Sequence, residues 1–319
     1  MKYNKKKALD FLFEAAFEAL EGRGHTRPNP PVGAVIVKDG EIVATGYHKK
    51  AGKDHAEVAA IKNAKRKGVD LKGASIFVTL EPCSKPGRVG ACTDAIKSSG
   101  ITEVYYGAED PNPVNRGKAK AALSGFSEVK FVDDPLCKNL IRAFAKHVTT
   151  GLPFVEVKMA MTLDGKTVDD FGESKWITSE EMRRNVGVFR DSVDVIMVGA
   201  DTVRKDNPRL LSYSKKGNPD LVRCVISKSG KLPKNAKVFT EGENLTLVYS
   251  DPIEALKDLG KRGYSHVLCE GGLKLATFLA KAGYVDEWIT CLAPKVLGTE
   301  TIKNAKIIEN FTVIPDYGC

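Results

Sequence analysis

The tightest constraint on this chain comes from three side chains that suit one metal ion yet stand far apart in the sequence: His55, Cys83 and Cys92. A catalytic zinc takes three protein ligands of nitrogen and sulfur type and keeps its fourth position for water. For these three to meet, the fold must bring the start of one helix, the end of a strand and the start of a second helix to one point. The local patterns supply those elements. His55 opens a helix-patterned run to Lys67, the apolar and β-branched run 74–80 reads as a strand delivering Glu81-Pro82-Cys83, and Cys92 opens a helix to Ser98. Glu57, two residues after His55, points away from the imidazole in the first helical turn and is placed to handle protons beside the metal.

His-x-Glu followed by Pro-Cys and a further Cys is the residue order of the zinc nucleobase deaminases, in which the Glu is a general acid/base and not a ligand. The stretch between the cysteines, Ser84 to Ala91, is longer than in the compact Pro-Cys-x-x-Cys form, and Pro86, Gly87 and Gly90 let it fold back so that both thiolates face one metal. The expected activity is hydrolytic deamination.

Around this centre the pattern alternates between strand and helix. Apolar positions from Asp10 to Glu21 have the spacing of one helix face, and 32–38 with 41–48 read as a hairpin about Asp39-Gly40, a favoured type I′ turn. A strand at 102–107 leads into Asp110-Pro111-Asn112-Pro113, and residues 118–147 mix helix and strand. This is a layered α/β domain. Residues 149–153, with Gly151 and Pro153, read as a joint, so the chain divides into domains 1–150 and 151–319. In the second, 154–161, 194–199, 221–226, 245–249 and 266–269 read as strands, and Thr178 or Ser179 caps a helix through Arg190. Glu270-Gly271-Gly272 joins the last of these strands to a helix through Ala282, where backbone N–H groups and the positive helix end suit a phosphate. Neither G-x-G-x-x-G nor a P-loop sequence occurs, so a standard Rossmann or P-loop site is not supported.

Composition narrows the setting. A hydrophobic share of 42% and a charged share of 28% are those of a soluble globular protein. Asp10, Glu14 and Glu18 interrupt the run after the basic opening, so no signal peptide is expected, and no stretch is apolar enough to cross a membrane. Seven cysteines, an odd number with two in the metal set, fit a reducing compartment, and the expected location is the cytoplasm. The net charge of +9 sits almost wholly in the first half, where 25 basic residues face 17 acidic ones. That favours an anionic partner, and a small phosphorylated substrate accounts for it.

The motifs extend along the whole chain: Asn29-Pro30-Pro31-Val32-Gly33-Ala34-Val35, His55-Ala56-Glu57, Thr79-Leu80-Glu81-Pro82-Cys83-Ser84, Cys92-Thr93-Asp94-Ala95-Ile96 and Asp110-Pro111-Asn112-Pro113. They continue with Leu163-Asp164-Gly165-Lys166, Lys175-Trp176-Ile177-Thr178-Ser179, Asp206-Asn207-Pro208-Arg209-Leu210, Glu270-Gly271-Gly272 and Ala293-Pro294-Lys295. In these the chain resembles the bifunctional riboflavin-biosynthesis deaminase/reductases. The resemblance implies a cytidine-deaminase-like three-layer α/β domain followed by a dihydrofolate-reductase-like α/β domain. It implies one zinc on His55, Cys83 and Cys92 with Glu57 catalytic, and NADPH as the second cofactor. Asn29, His48, Arg88, Asp110 and Asn112 would contact the deaminase substrate, and Ser174, Arg190, Leu210 and Glu270 the reductase substrate. Ala160, Trp176, Thr202, Asp206 and the segment Gly272, Leu273, Lys274, Leu275, Ala276, Thr277, Phe278 would line NADPH. The implied partner is a phosphorylated pyrimidine, with no nucleic acid and no membrane, and the chain is expected to form a homo-oligomer. Tyr213 stands where the family has an Arg, which predicts weaker phosphate binding. Two alternatives stay open on sequence alone: a deaminase whose second domain only scaffolds, and an RNA-binding or RNA-editing deaminase.

Overall fold

Strands alternate with helices along most of both halves of the chain. The computed structural model describes residues 2–85, 90–169, 177–212, 217–298 and 306–307. Contacts divide the chain into two units: one runs to Phe154 and includes Leu256–His266, the other comprises Val155–Ala255 and the chain from Val267.

The first unit contains α1 (Lys5–Leu20), β1 (Gly33–Lys38), β2 (Glu41–Tyr47), α2 (Ala56–Arg66), β3 (Ser75–Leu80), α3 (Cys92–Lys97), β4 (Glu103–Ala108), α4 (Ala119–Ala122), β5 (Glu128–Phe131), α5 (Pro135–Leu140) and α6 (Arg142–Thr150). The opening helix starts earlier than its apolar spacing predicted. Asn4 caps it by accepting the Lys7 N–H at 2.9 Å, and the basic residues 5–7 form its first turn. Asp39 and Gly40 have φ of 51° and 88°, the signature of the type I′ turn expected there.

The five strands lie in the order β2-β1-β3-β4-β5, with β1 antiparallel to both neighbours and β3, β4 and β5 parallel. Two glycines set the layering. A Cβ on Gly33 would lie 1.9 Å from the Ala15 carbonyl oxygen of α1, and one on Gly46 would lie 2.3 Å from the Ala60 nitrogen of α2. Gly33 pairs with Tyr47 and Ala34 with Gly46, so the two glycines face opposite sides of the sheet. The sheet is therefore sandwiched between α1 on one side and α2 on the other. Its core includes Leu12, Ile36, Phe77, Ile96 and Tyr105. Gly33→Ala puts a methyl against backbone that cannot rotate away, and the expected loss is about 1–3 kcal/mol or more. A urea midpoint equal to that of the wild type would contradict this packing.

The second unit contains β6 (Phe154–Thr162), α7 (Glu180–Asp191), β7 (Val195–Gly199), α8 (Ala200–Asp206), β8 (Val222–Ile226), α9 (Lys237–Thr240), β9 (Thr246–Tyr249), α10 (Pro252–Lys261), β10 (His266–Cys269), α11 (Leu273–Lys281) and β11 (Glu287–Ala293). A short ladder joins β12 (Lys295–Val296) to β13 (Lys306–Ile307). β6, α10 and β10 straddle the boundaries between the units, and residues 256–261 of α10 belong to the first. Ser179 is the cap of α7, accepting the Met182 N–H at 3.2 Å. Six strands run in the order β11-β6-β10-β7-β8-β9, and β11 with β6, β10 with β7, β7 with β8 and β8 with β9 pair in parallel. The strand β11 went unread in the sequence, because its burial alternates along an edge instead of forming an apolar run. Among the described residues no helix is long and apolar enough to cross a membrane.

Candidate active sites

In the first unit the three predicted ligands meet. His55 caps α2 with extended backbone, Cys83 follows β3, and Cys92 is the first residue of α3. His55 Nδ1 lies 3.2 Å from Cys92 Sγ and 3.6 Å from Cys83 Sγ, and the three ligand atoms lie within 4.8 Å of one another. A tetrahedral ion bonded at about 2.3 Å to sulfur and about 2.0 Å to nitrogen sets its ligand atoms roughly 3.5 Å apart, so this donor set fits zinc. The wide spacing of the cysteines is closed by backbone. The Cys92 N–H donates to Cys83 Sγ at 3.4 Å and the Thr93 N–H to the Cys83 carbonyl at 3.2 Å.

The charges here are coupled. A hydrogen bond from the Cys92 thiol, with further ones from His55 and the Cys92 N–H working against burial, holds the Cys83 thiol well below its ordinary value. Cys92 is pushed up by that same hydrogen bond and by its burial, and His55 is raised chiefly by its bond to Cys83. Glu57 is 3% exposed. Burial first, then the negative charge of Cys83, pushes its carboxyl up to about 7, where it can both take and give a proton near neutrality. The charge of a bound zinc acts in the opposite direction.

Of the residues implied to contact the deaminase substrate, Asn29 and His48 form one network. Asn29 Nδ2 lies 3.0 Å from His48 Nε2, and His48 Nδ1 lies 2.9 Å from the Asp54 carbonyl oxygen. A carbonyl only accepts, so Nδ1 carries the proton and Nε2 accepts from the Asn29 amide. His48 is buried, and that burial lowers its pKa, so the ring is neutral. With both nitrogens engaged, it orients Asn29 and holds the residue before His55. Asp110 is buried, which raises its carboxyl, and it accepts the Asn112 N–H at 2.8 Å and Asn115 Nδ2 at 3.1 Å. Arg88 lies outside the described residues. Glu81, which sequence reading passed over as a site residue, is also buried here and ties down the segment after β4.

In the second unit Glu270, at the end of β10, accepts a two-point ion pair from Arg190 of α7, with Nε to Oε1 at 2.6 Å and Nη2 to Oε2 at 2.9 Å. Lys158 of β6 adds its ammonium at 3.5 Å from Oε2. Burial alone would raise the Glu270 carboxyl, but Arg190 and then Lys158 outweigh it and hold it at about 2. Lys158 was not singled out in the sequence. The same strand carries Glu156 two residues earlier, so nothing in the local pattern marks Lys158 as a site residue. Arg190 Nη1 also donates to the Leu211 carbonyl at 3.1 Å. The Leu210 side chain is buried in the core with Val198 and Val203, and its φ is 53°, so backbone is what Leu210 has to offer a ligand.

The glycine turn meets the neighbouring strand end. The Gly199 N–H donates to the Gly271 carbonyl at 2.8 Å, Gly272 caps α11, and a Cβ on Gly272 would lie 3.7 Å from Thr202 Oγ1. Thr202 and Asp206 lie one turn apart on α8, on one face. The segment from Gly272 to Phe278 forms the cap and first turns of α11, and Ala160 lies in β6. Ser174, Trp176 and Tyr213 lie outside the described residues.

Residues 6–108 match the family model for the cytidine and deoxycytidylate deaminase zinc-binding region, and residues 153–309 match that for the RibD C-terminal domain. The riboflavin biosynthesis protein RibD of Aquifex aeolicus is 37% identical over 305 residues, covering 88% of this chain and 85% of that protein. The Escherichia coli RibD is 35% identical over 327 residues, covering 91% and 88%. A crystal structure from Thermotoga maritima, described as a diaminohydroxyphosphoribosylaminopyrimidine deaminase/5-amino-6-(5-phosphoribosylamino)uracil reductase, is 35% identical. It superimposes with a TM-score of 0.84 over 98% of this chain and 94% of that one. The Acinetobacter baumannii RibD superimposes with a TM-score of 0.81 at 31% identity, over 96% and 92%.

Proposed function

This chain belongs to the RibD family of riboflavin-biosynthesis proteins, and from that premise we propose that its two activities are carried by the two sites described above. It is a zinc deaminase and an NADPH-dependent reductase in one chain. The first activity removes an amino group from diaminohydroxyphosphoribosylaminopyrimidine by hydrolysis, and the second reduces the ribosyl group of 5-amino-6-(5-phosphoribosylamino)uracil to a ribityl chain. One observation supports the first assignment above others: His55, Cys83 and Cys92 converge with a buried carboxylic acid, Glu57, two residues from the histidine.

Zinc, when bound to these three side chains, supplies the Lewis acid that activates water. Glu57 takes a proton from the attacking water and gives it to the ring nitrogen as the C–O bond forms, then carries the remaining hydroxyl proton to the amino group, which leaves as ammonia as the carbonyl forms. Asn29, His48, Asp110, Asn112 and Arg88 hold the pyrimidine ribotide, and His48 also fixes the Asn29 amide. In the second domain the convergence of Arg190 from α7 and Lys158 from β6 on Glu270 at the end of β10 supports a substrate site. Ala160, Trp176, Thr202, Asp206 and Gly272 to Phe278 line NADPH, with Ser174 and Leu210 beside the substrate. The domains are 1–150 for deamination and 151–319 for reduction.

The protein acts on a small molecule and not on nucleic acid, in the cytoplasm, as a homo-oligomer. The exposed stripe of Phe13, Phe17 and Leu20 on α1 supports a subunit face. Incubating zinc-loaded protein with the diaminopyrimidine ribotide, with and without NADPH, tests the reading. Ammonia release without NADPH and NADPH oxidation after it are expected. Deamination without any NADPH oxidation would leave the second domain as a scaffold, and absence of both would sink the assignment.

A further inference from the structure

Glu81 stands between β3 and Cys83, and neither metal binding nor proton transfer uses it. Its residue is 3% exposed. The carboxylate accepts three backbone N–H groups: Oε2 from Asp110 at 3.3 Å and Gly117 at 2.9 Å, and Oε1 from Ala119 at 3.0 Å. Its own N–H donates to the Ala108 carbonyl of β4 at 2.8 Å. One side chain thus clasps both ends of the loop 110–119, and it is attached by a single proline to a metal ligand. Inside the loop, Asp110 accepts from Asn112 and Asn115, and Asn112 Oδ1 accepts the Val114 N–H at 3.0 Å. Leu80 pairs with Ala108, so the loop leaves β4 beside the end of β3 that leads to Cys83.

We propose that Glu81 is a positioning residue for the deaminase substrate: it fixes the loop 110–119 to the strand end that carries Cys83, and so sets where Asp110 and Asn112 meet the pyrimidine ribotide. A charged acceptor is needed because three donors converge on it. An amide keeps the size but turns one of the two oxygens into a donor facing an N–H. The loop then loses at least one anchor while β3, Cys83 and Glu57 keep their places.

The inference rests on the deaminase reading of the first site. Its test is Glu81→Gln in the full zinc-loaded chain. Zinc content and kcat should stay at wild-type values, while KM for the ribotide rises by about tenfold, the factor that goes with one hydrogen bond to a charged group. Merely structural support would lower the yield of folded, zinc-bound protein and leave KM alone, so an unchanged KM overturns the proposal. If Glu81→Gln does not fold, Asn115→Ala loosens the same loop through Asp110, and an unchanged KM there overturns it equally. A wild type that deaminates nothing counts instead against the function assigned to the site.

Discussion

Glu57→Gln should leave the protein with its full zinc content and a deaminase rate lower by about 10²–10⁴-fold, the usual worth of a general acid–base group. Glutamine fills the same buried space at the start of α2 but cannot accept a proton from water or deliver one to the leaving amino group. The metal should be indifferent, because His55, Cys83 and Cys92 complete the ligand set without Glu57. Cys83→Ala gives the opposite pattern. It removes one ligand and the acceptor for the Cys92 N–H, so zinc should be lost together with activity. Metal analysis and ammonia release, measured on the same two preparations, separate the roles. A glutamine variant that keeps most of its rate would remove Glu57 from the chemistry, and full zinc occupancy in Cys83→Ala would remove Cys83 from the ligand set.

In the second unit, Glu270→Gln should cost about 3–5 kcal/mol, the usual penalty for taking one partner out of a buried ion pair. Arg190 and Lys158 are each 13% exposed at the side chain, and both aim at a carboxylate that is 7% exposed. Neutralising it removes the buried charge on which the two cations converge. Reduction should fail as well. The deaminase half, with a core of its own, should keep its activity. Acid tests the same pair in the wild type. The native carboxyl is held at about 2 against an ordinary 4.5, so the native state keeps the charge longer than the unfolded chain does. Its contribution is whole above about pH 4.5 and drains away as the pH falls toward about 2. Glu270→Gln should lack that part of the acid slope. Urea unfolding of wild type and variant at neutral and acid pH reads both effects. Equal midpoints at neutral pH would show that the pair adds nothing to the fold.

Residue order by itself determined the chemistry of the first site. A histidine at a helix start and two cysteines at a strand end and a second helix start are legible because local periodicity fixes the elements and the donor types fix the metal. The type I′ turn at Asp39-Gly40 and the Ser179 cap were readable for the same reason, since each depends on residues adjacent in the chain. The start of α1 was not, although its cap Asn4 lies in plain sight, because the basic residues after it mask the apolar period. Only the tertiary structure decided how distant groups share charge and hydrogen bonds. Neither the three N–H groups on Glu81 nor the second cation on Glu270 leaves a trace in local pattern, since Glu81 and Ala119, or Lys158 and Glu270, meet only through strand order. His48 gained a second meaning in the same way. The resemblance implied contact with the substrate, and the fold also ties its two nitrogens to Asn29 and Asp54. A buried polar atom must be satisfied by whatever the fold brings within about 3 Å, and that neighbour is set by long-range packing, not by the residues on either side.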